Sequence, residues 1–151
     1  MLRNGLNDAL KTAMRERDAA TVSTLRMILA ALKDRDIAAR PKGNAAGIGD
    51  DEIFQMLQAL IKQRRESIAL YEKGGRADLV AKETQEIVVI ERFLPKQMDE
   101  SAMGAAIAAL VKELGATNVK DMGRVMGELK ARYAGQMDFA KASGLVKQQL
   151  G

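Results

Sequence analysis

Neither cysteine nor histidine occurs among the 151 residues. Disulfides, thiolate or imidazole metal sites and nucleophile–imidazole triads are thereby excluded, and the usual general base near neutral pH is missing. Carboxylates, lysines and the scattered Ser23, Ser67, Ser101 and Ser143 are what remains for chemistry. No cofactor and no metal are expected. Aromatic residues amount to 3% with no tryptophan, which argues against a sandwich of β-branched and aromatic strands. No run approaches the ~18 apolar residues of a membrane span, and the N-terminus leads into an amphipathic segment without the apolar core of a signal peptide. A cytoplasmic protein with no membrane partner is the expectation.

What is present is helical. Hydrophobic residues make up 47%, mostly aliphatic and with nine methionines, which suits an all-α core. The net charge of +4 and an isoelectric point near 9.4 permit a polyanionic partner without demanding one. Apolar residues at steps of three and four place helices over about 2–17, 18–40, 50–73 and 76–94. Asp18 suits an N-cap, Arg40-Pro41 a stop and Gly74-Gly75 a C-terminal turn. Residues 41–49 are rich in glycine and lack both periodicity and the phosphate-cradling Gly-x-x-x-x-Gly-Lys-Ser/Thr pattern, so a mobile loop is expected. Pro95 ends the fourth helix and Asp99 caps the next, which puts a domain boundary between 1–95 and 96–151. The second part carries three shorter helices, the last opened by Asp138.

Two sets of charged residues stand out. Arg26 lies beside the apolar stripe of the second helix, and Glu83 lies on the stripe of the fourth with Glu86 close by. A carboxylate on an apolar stripe needs a partner, so Arg26, Arg64, Glu83 and Glu86 are expected to form structural ion pairs between helices. The other set is in residues 118–130, which read as one amphipathic helix with Val119, Met122, Met126, Leu129 and Tyr133 inward. Gly123 and Gly127 sit inside it, where each weakens a helix by about 0.8–1 kcal/mol relative to alanine. Lys120, Arg124 and Lys130 frame them. Either the small residues admit a neighbouring helix, or a phosphate–ribose backbone approaches the bare strip while the cations meet its charge.

Met122-Gly123-Arg124-Val125-Met126-Gly127, with Lys120-Asp121 before it and Asp138 and Val146-Lys147 after, resembles the tail motif of the GatB/YqeY family. Thr24-Leu25-Arg26, Lys62-Gln63-Arg64, Gly75-Arg76-Ala77-Asp78-Leu79, Glu83, Glu86 and Phe93-Leu94-Pro95 agree in order and spacing, and Phe93 departs from the tyrosine frequent in relatives. The resemblance implies an N-terminal helical bundle followed by a small three-helix tail. A related tail in the GatB subunit of the tRNA-dependent amidotransferase holds tRNA. Carried over by position, Lys120, Gly123, Arg124, Gly127 and Lys130 become candidates for contact with tRNA or another structured RNA. The glutaminase half of those enzymes uses a Ser-Ser-Lys arrangement that has no counterpart here, so no catalytic residue is assigned and an amidotransferase label would be inherited from the tail. The expectation is a non-catalytic RNA-binding protein. The alternatives are an accessory or carbon–nitrogen ligase role in tRNA-dependent amidation, with glutamine as amido donor and an amidotransferase complex as partner, or a protein-interaction module.

Overall fold

The structure is a computed structural model describing residues 1–151, and it contains seven α-helices and no strand. The chain divides into two compact units, Met1–Leu94 and Pro95–Gly151. The first holds α1 (Leu2–Arg15), α2 (Ala19–Ala39), α3 (Asp50–Lys73) and α4 (Ala77–Glu91). The second holds α5 (Glu100–Leu114), α6 (Met122–Arg132) and α7 (Phe139–Leu150). The all-α expectation is met.

In the first unit the local signals place the breaks. Asp18 caps α2, its carboxylate accepting from the Thr21 amide at 3.2 Å and the Thr21 hydroxyl at 2.7 Å. Arg17, just before it, closes α1 at φ 57°, a left-handed conformation that disfavours an L side chain by about 1–2 kcal/mol. Pro41 cannot donate an amide, and α2 stops at Ala39. Gly75, at φ 68°, lets α3 and α4 form a helical hairpin. Leu6, Leu25, Ile28, Ile53, Leu57 and Ile90 are sealed in one core. Burying each such side chain contributes about 1.5–3 kcal/mol. The buried line of α2 runs through Leu25, Ile28 and Leu32, so Val22 and Leu29 are only partly covered, and Met14 of α1 stays 51% exposed.

The glycine-rich segment is not the mobile loop expected. After a single 3-10 turn at Arg40–Lys42, it is tied back to α1 and α2. Arg3 donates to both Asp36 carboxylate oxygens at 2.6 and 2.9 Å and to the Ile48 carbonyl at 3.0 Å, while the Ile48 amide donates to Asp36 at 2.9 Å. Ile48 is itself buried in the core. Gly47 crosses this clip at φ 94°, where a Cβ would lie 2.6 Å from Asp36 Oδ1 and 2.8 Å from Arg3 Nη2. The Arg3 hydrogen bond, aided by the Ile48 amide, holds the Asp36 carboxyl below its ordinary pKa. Periodicity saw none of this because the partners are 33 and 45 residues apart.

The second unit buries Met103, Ile107 and Leu110 of α5, Val125 and Leu129 of α6, and Ala142, Val146 and Leu150 of α7. Asp99 caps α5 by accepting from the Ala102 amide at 2.7 Å, and Asp138 caps α7 by accepting from the Ala140 amide at 2.9 Å. Met137, in the loop before α7, is 1% exposed and completes the core. Arg132 joins α6 to α5 through a two-pronged bond to Glu113 at 2.8 Å for each prong, and it also reaches Glu128 at 3.1 Å.

Candidate nucleic-acid interface

Residues 118–130 do not form one helix. Val119–Asp121 make a 3-10 turn, and α6 begins only at Met122. The reason is capping. The Asn118 side chain accepts from the Lys120 amide at 2.9 Å, and Asp121 reaches back to accept from the amides of Thr117 at 3.0 Å and Asn118 at 3.4 Å. Those amides, the Thr117 one first, hold the Asp121 carboxyl below its usual pKa, with Arg124 adding to the effect.

The late start moves the inward face. Val125 and Leu129 are fully buried, Met122, Met126 and Tyr133 are partly covered, and Val119 is 49% exposed instead of inward. At about 100° per residue, the line through Gly123 and Gly127 points away from Val125 and Leu129. Both glycines are exposed, and a Cβ added to either would meet nothing within 4 Å. No helix of the same unit nestles on this strip. Ala131, exposed one turn further on, extends it, and the same four-residue step marks it in the sequence.

The framing cations differ in availability. Lys120 and Lys130 are exposed and form no ion pair. Arg124 is exposed too and makes one loose contact, to Asp121 Oδ1 at 3.3 Å. An exposed pair of this kind is worth little, so an incoming anion competes with it readily. The result is an outward helix face with bare backbone along its middle, two unpaired ammonium groups and a guanidinium that is easily released.

The structural ion pairs divide differently. Arg64 Nε donates to Glu86 Oε2 at 2.7 Å and lies 3.8 Å from Glu83 Oε2, with all three side chains largely covered. Its remaining nitrogens reach the Leu60 carbonyl at 3.1 Å and Met27 Sδ at 3.3 Å. Arg26 takes no part. It is exposed and pairs with neither carboxylate, because the buried line of α2 turns it outward. Phe93 is partly covered and packs against the first core. No group of acidic side chains is placed to hold a metal ion, and no helix is long and apolar enough to cross a membrane.

The family model described as Yqey-like protein matches residues 3–150. Among curated proteins, the chain is 33% identical over 115 residues to "Altered inheritance of mitochondria protein 41, mitochondrial" of Eremothecium gossypii, covering 75% of this chain and 61% of that protein. The protein of the same name from Lachancea thermotolerans is 30% identical over 115 residues, 75% of this chain and 59% of its own length. That from Vanderwaltozyma polyspora is 34% identical over 90 residues, 60% of this chain and 46% of its own. The chain thus spans about half the length of these relatives. The cytoplasmic expectation is overturned, since these relatives are mitochondrial proteins. That expectation rested on the lack of an apolar leader, and organellar transit segments are amphipathic and need none.

Proposed function

The chain belongs to the family of YqeY-like proteins, and from that premise we propose that it is a non-catalytic binder of tRNA or another structured RNA, acting through the outward face of α6. The observation that carries this reading is the open space over Gly123 and Gly127. Gly127, inside α6, weakens the helix by about 0.8–1 kcal/mol, and no packing within its unit offsets that. A phosphate–ribose backbone approaching the bare strip would, with Lys120 and Lys130 as unpaired counter-charges beside it and Arg124 freed from Asp121. Likeness of this segment to the tRNA-holding tail of GatB points to the same class of ligand. Recognition is by shape and phosphate, because the strip carries no aromatic platform on which single-stranded bases stack.

The test is a titration of the full chain with bulk tRNA at about 50 and 200 mM salt, across which affinities built on phosphate contacts fall steeply. The triple variant Lys120→Ala/Arg124→Ala/Lys130→Ala is expected to bind more weakly, with the salt slope reduced by about one unit per lost phosphate contact. Gly127→Leu leaves the charge intact and is expected to weaken binding by blocking approach. A triple variant that binds tRNA as the wild type does rejects the proposal.

A further inference from the structure

Arg26, which the ion-pair network leaves out, opens onto a second surface in the first unit. Met14, Arg17, Ala19, Val22, Ser23 and Arg26 line a shallow groove of about 520 Å³. Ala19, Val22, Ser23 and Arg26 follow one another at helical spacing, so two turns of α2 form one wall, and Met14 of α1 faces them. The floor is apolar, with Met14 half-exposed and Val22 partly so. Its two charges are both guanidinium groups, both exposed, and neither forms a hydrogen bond or ion pair through its side chain. Arg3, Arg64, Arg124 and Arg132, by contrast, each have an acidic partner.

Arg17 adds an independent point. It occupies a left-handed turn position where glycine or asparagine is the better residue, and its side chain supports nothing in the fold. Backbone strain of this kind concentrates where a side chain is needed for something other than folding.

We propose that this groove docks an acidic amphipathic helix of a protein partner, with apolar side chains laid over Met14 and Val22 and carboxylates paired to Arg17 and Arg26. Guanidinium forks match carboxylate and phosphate alike. The apolar floor decides between them, since it is covered favourably by hydrocarbon side chains and not by a phosphate–ribose backbone. Methionine, with its flexible and polarizable chain, suits such a floor. The site lies in the N-terminal unit and is independent of the α6 strip.

The experiment selects binders from a displayed library of random 14-residue helical peptides on the full-length protein, with counter-selection on Arg17→Gln/Arg26→Gln. Recovered peptides are then measured by fluorescence anisotropy. Peptides carrying Asp or Glu beside apolar residues at steps of three and four are expected to emerge, and each arginine replacement should weaken them about tenfold. Arg17→Gly separates binding from folding, because it relieves the strained turn: melting temperature should rise while peptide affinity falls. The proposal is overturned if no peptide is enriched, if enriched peptides lack acidic residues, or if they bind the double variant as well as the wild type. It is equally overturned if Arg17→Gln/Arg26→Gln lowers tRNA affinity and no peptide competes with tRNA, which would make the groove a nucleic-acid contact.

Discussion

Gly47 in the first unit and Gly127 in the second are both glycines among charged side chains, and the fold treats them in opposite ways. Gly47 is at φ 94°, with a hypothetical Cβ 2.6 Å from the Asp36 carboxylate, so the Arg3–Asp36–Ile48 clip closes only over glycine. Gly127 is helical and a Cβ there meets nothing, so the helix would be stronger with alanine. The charges follow suit. Around Gly47 they are spent on one another, and around Gly127 two of the three form no ion pair. A glycine that the structure needs, among paired charges, is explained by folding. A glycine that the structure does not need, beside unpaired charges, is what the proposed RNA contact would explain.

Four measurements break or sharpen that contrast. The largest effect is expected from Asp36→Ala, which leaves the Arg3 guanidinium and the Ile48 amide without their acceptor; a loss of about 2–3 kcal/mol follows from stranding a charged donor and an amide in a partly covered site, read by urea denaturation. Gly47→Ala is expected to lose about 2 kcal/mol through its left-handed backbone and the displaced carboxylate, and unchanged stability there would undo the comparison from the first side. Gly127→Ala should gain about 0.8–1 kcal/mol, and Gly123→Ala, in the first turn of α6, a smaller amount, both seen as a higher melting temperature. If either destabilises the protein, the strip is a packing surface after all. The smallest effect is in pH. The Asp36 pKa is depressed in the folded protein, so its contribution is present above the ordinary carboxylate pKa of about 3.9 and fades as pH falls through the folded value. Stability of wild type should therefore drop below about pH 4, and Arg3→Gln should flatten that drop.

The helices were legible where the signal is local. Asp18, Asp99 and Asp138 cap as their chemistry predicts, and Pro41 and Gly75 end helices for backbone reasons that need no neighbour. Local reading failed where a distant residue decides. The segment after Pro41 is held by Arg3 and Asp36, Met137 is buried from within a loop, and Arg26 turns away from the carboxylates it was expected to meet. The α6 face was half-read: the glycines and cations were located, but Asn118 and Asp121 delay the helix, so that Val125 replaces Val119 in the core.

The sequence by itself determined the helical class, the caps and stops, and the exclusion of thiol and imidazole chemistry, because each follows from what a residue does to its own backbone or cannot do at all. Only the tertiary structure decided which glycine is closed and which is open and which arginines are paired and which are free. Those properties depend on what lies within a few ångströms in space, and residues far apart along the chain supply it.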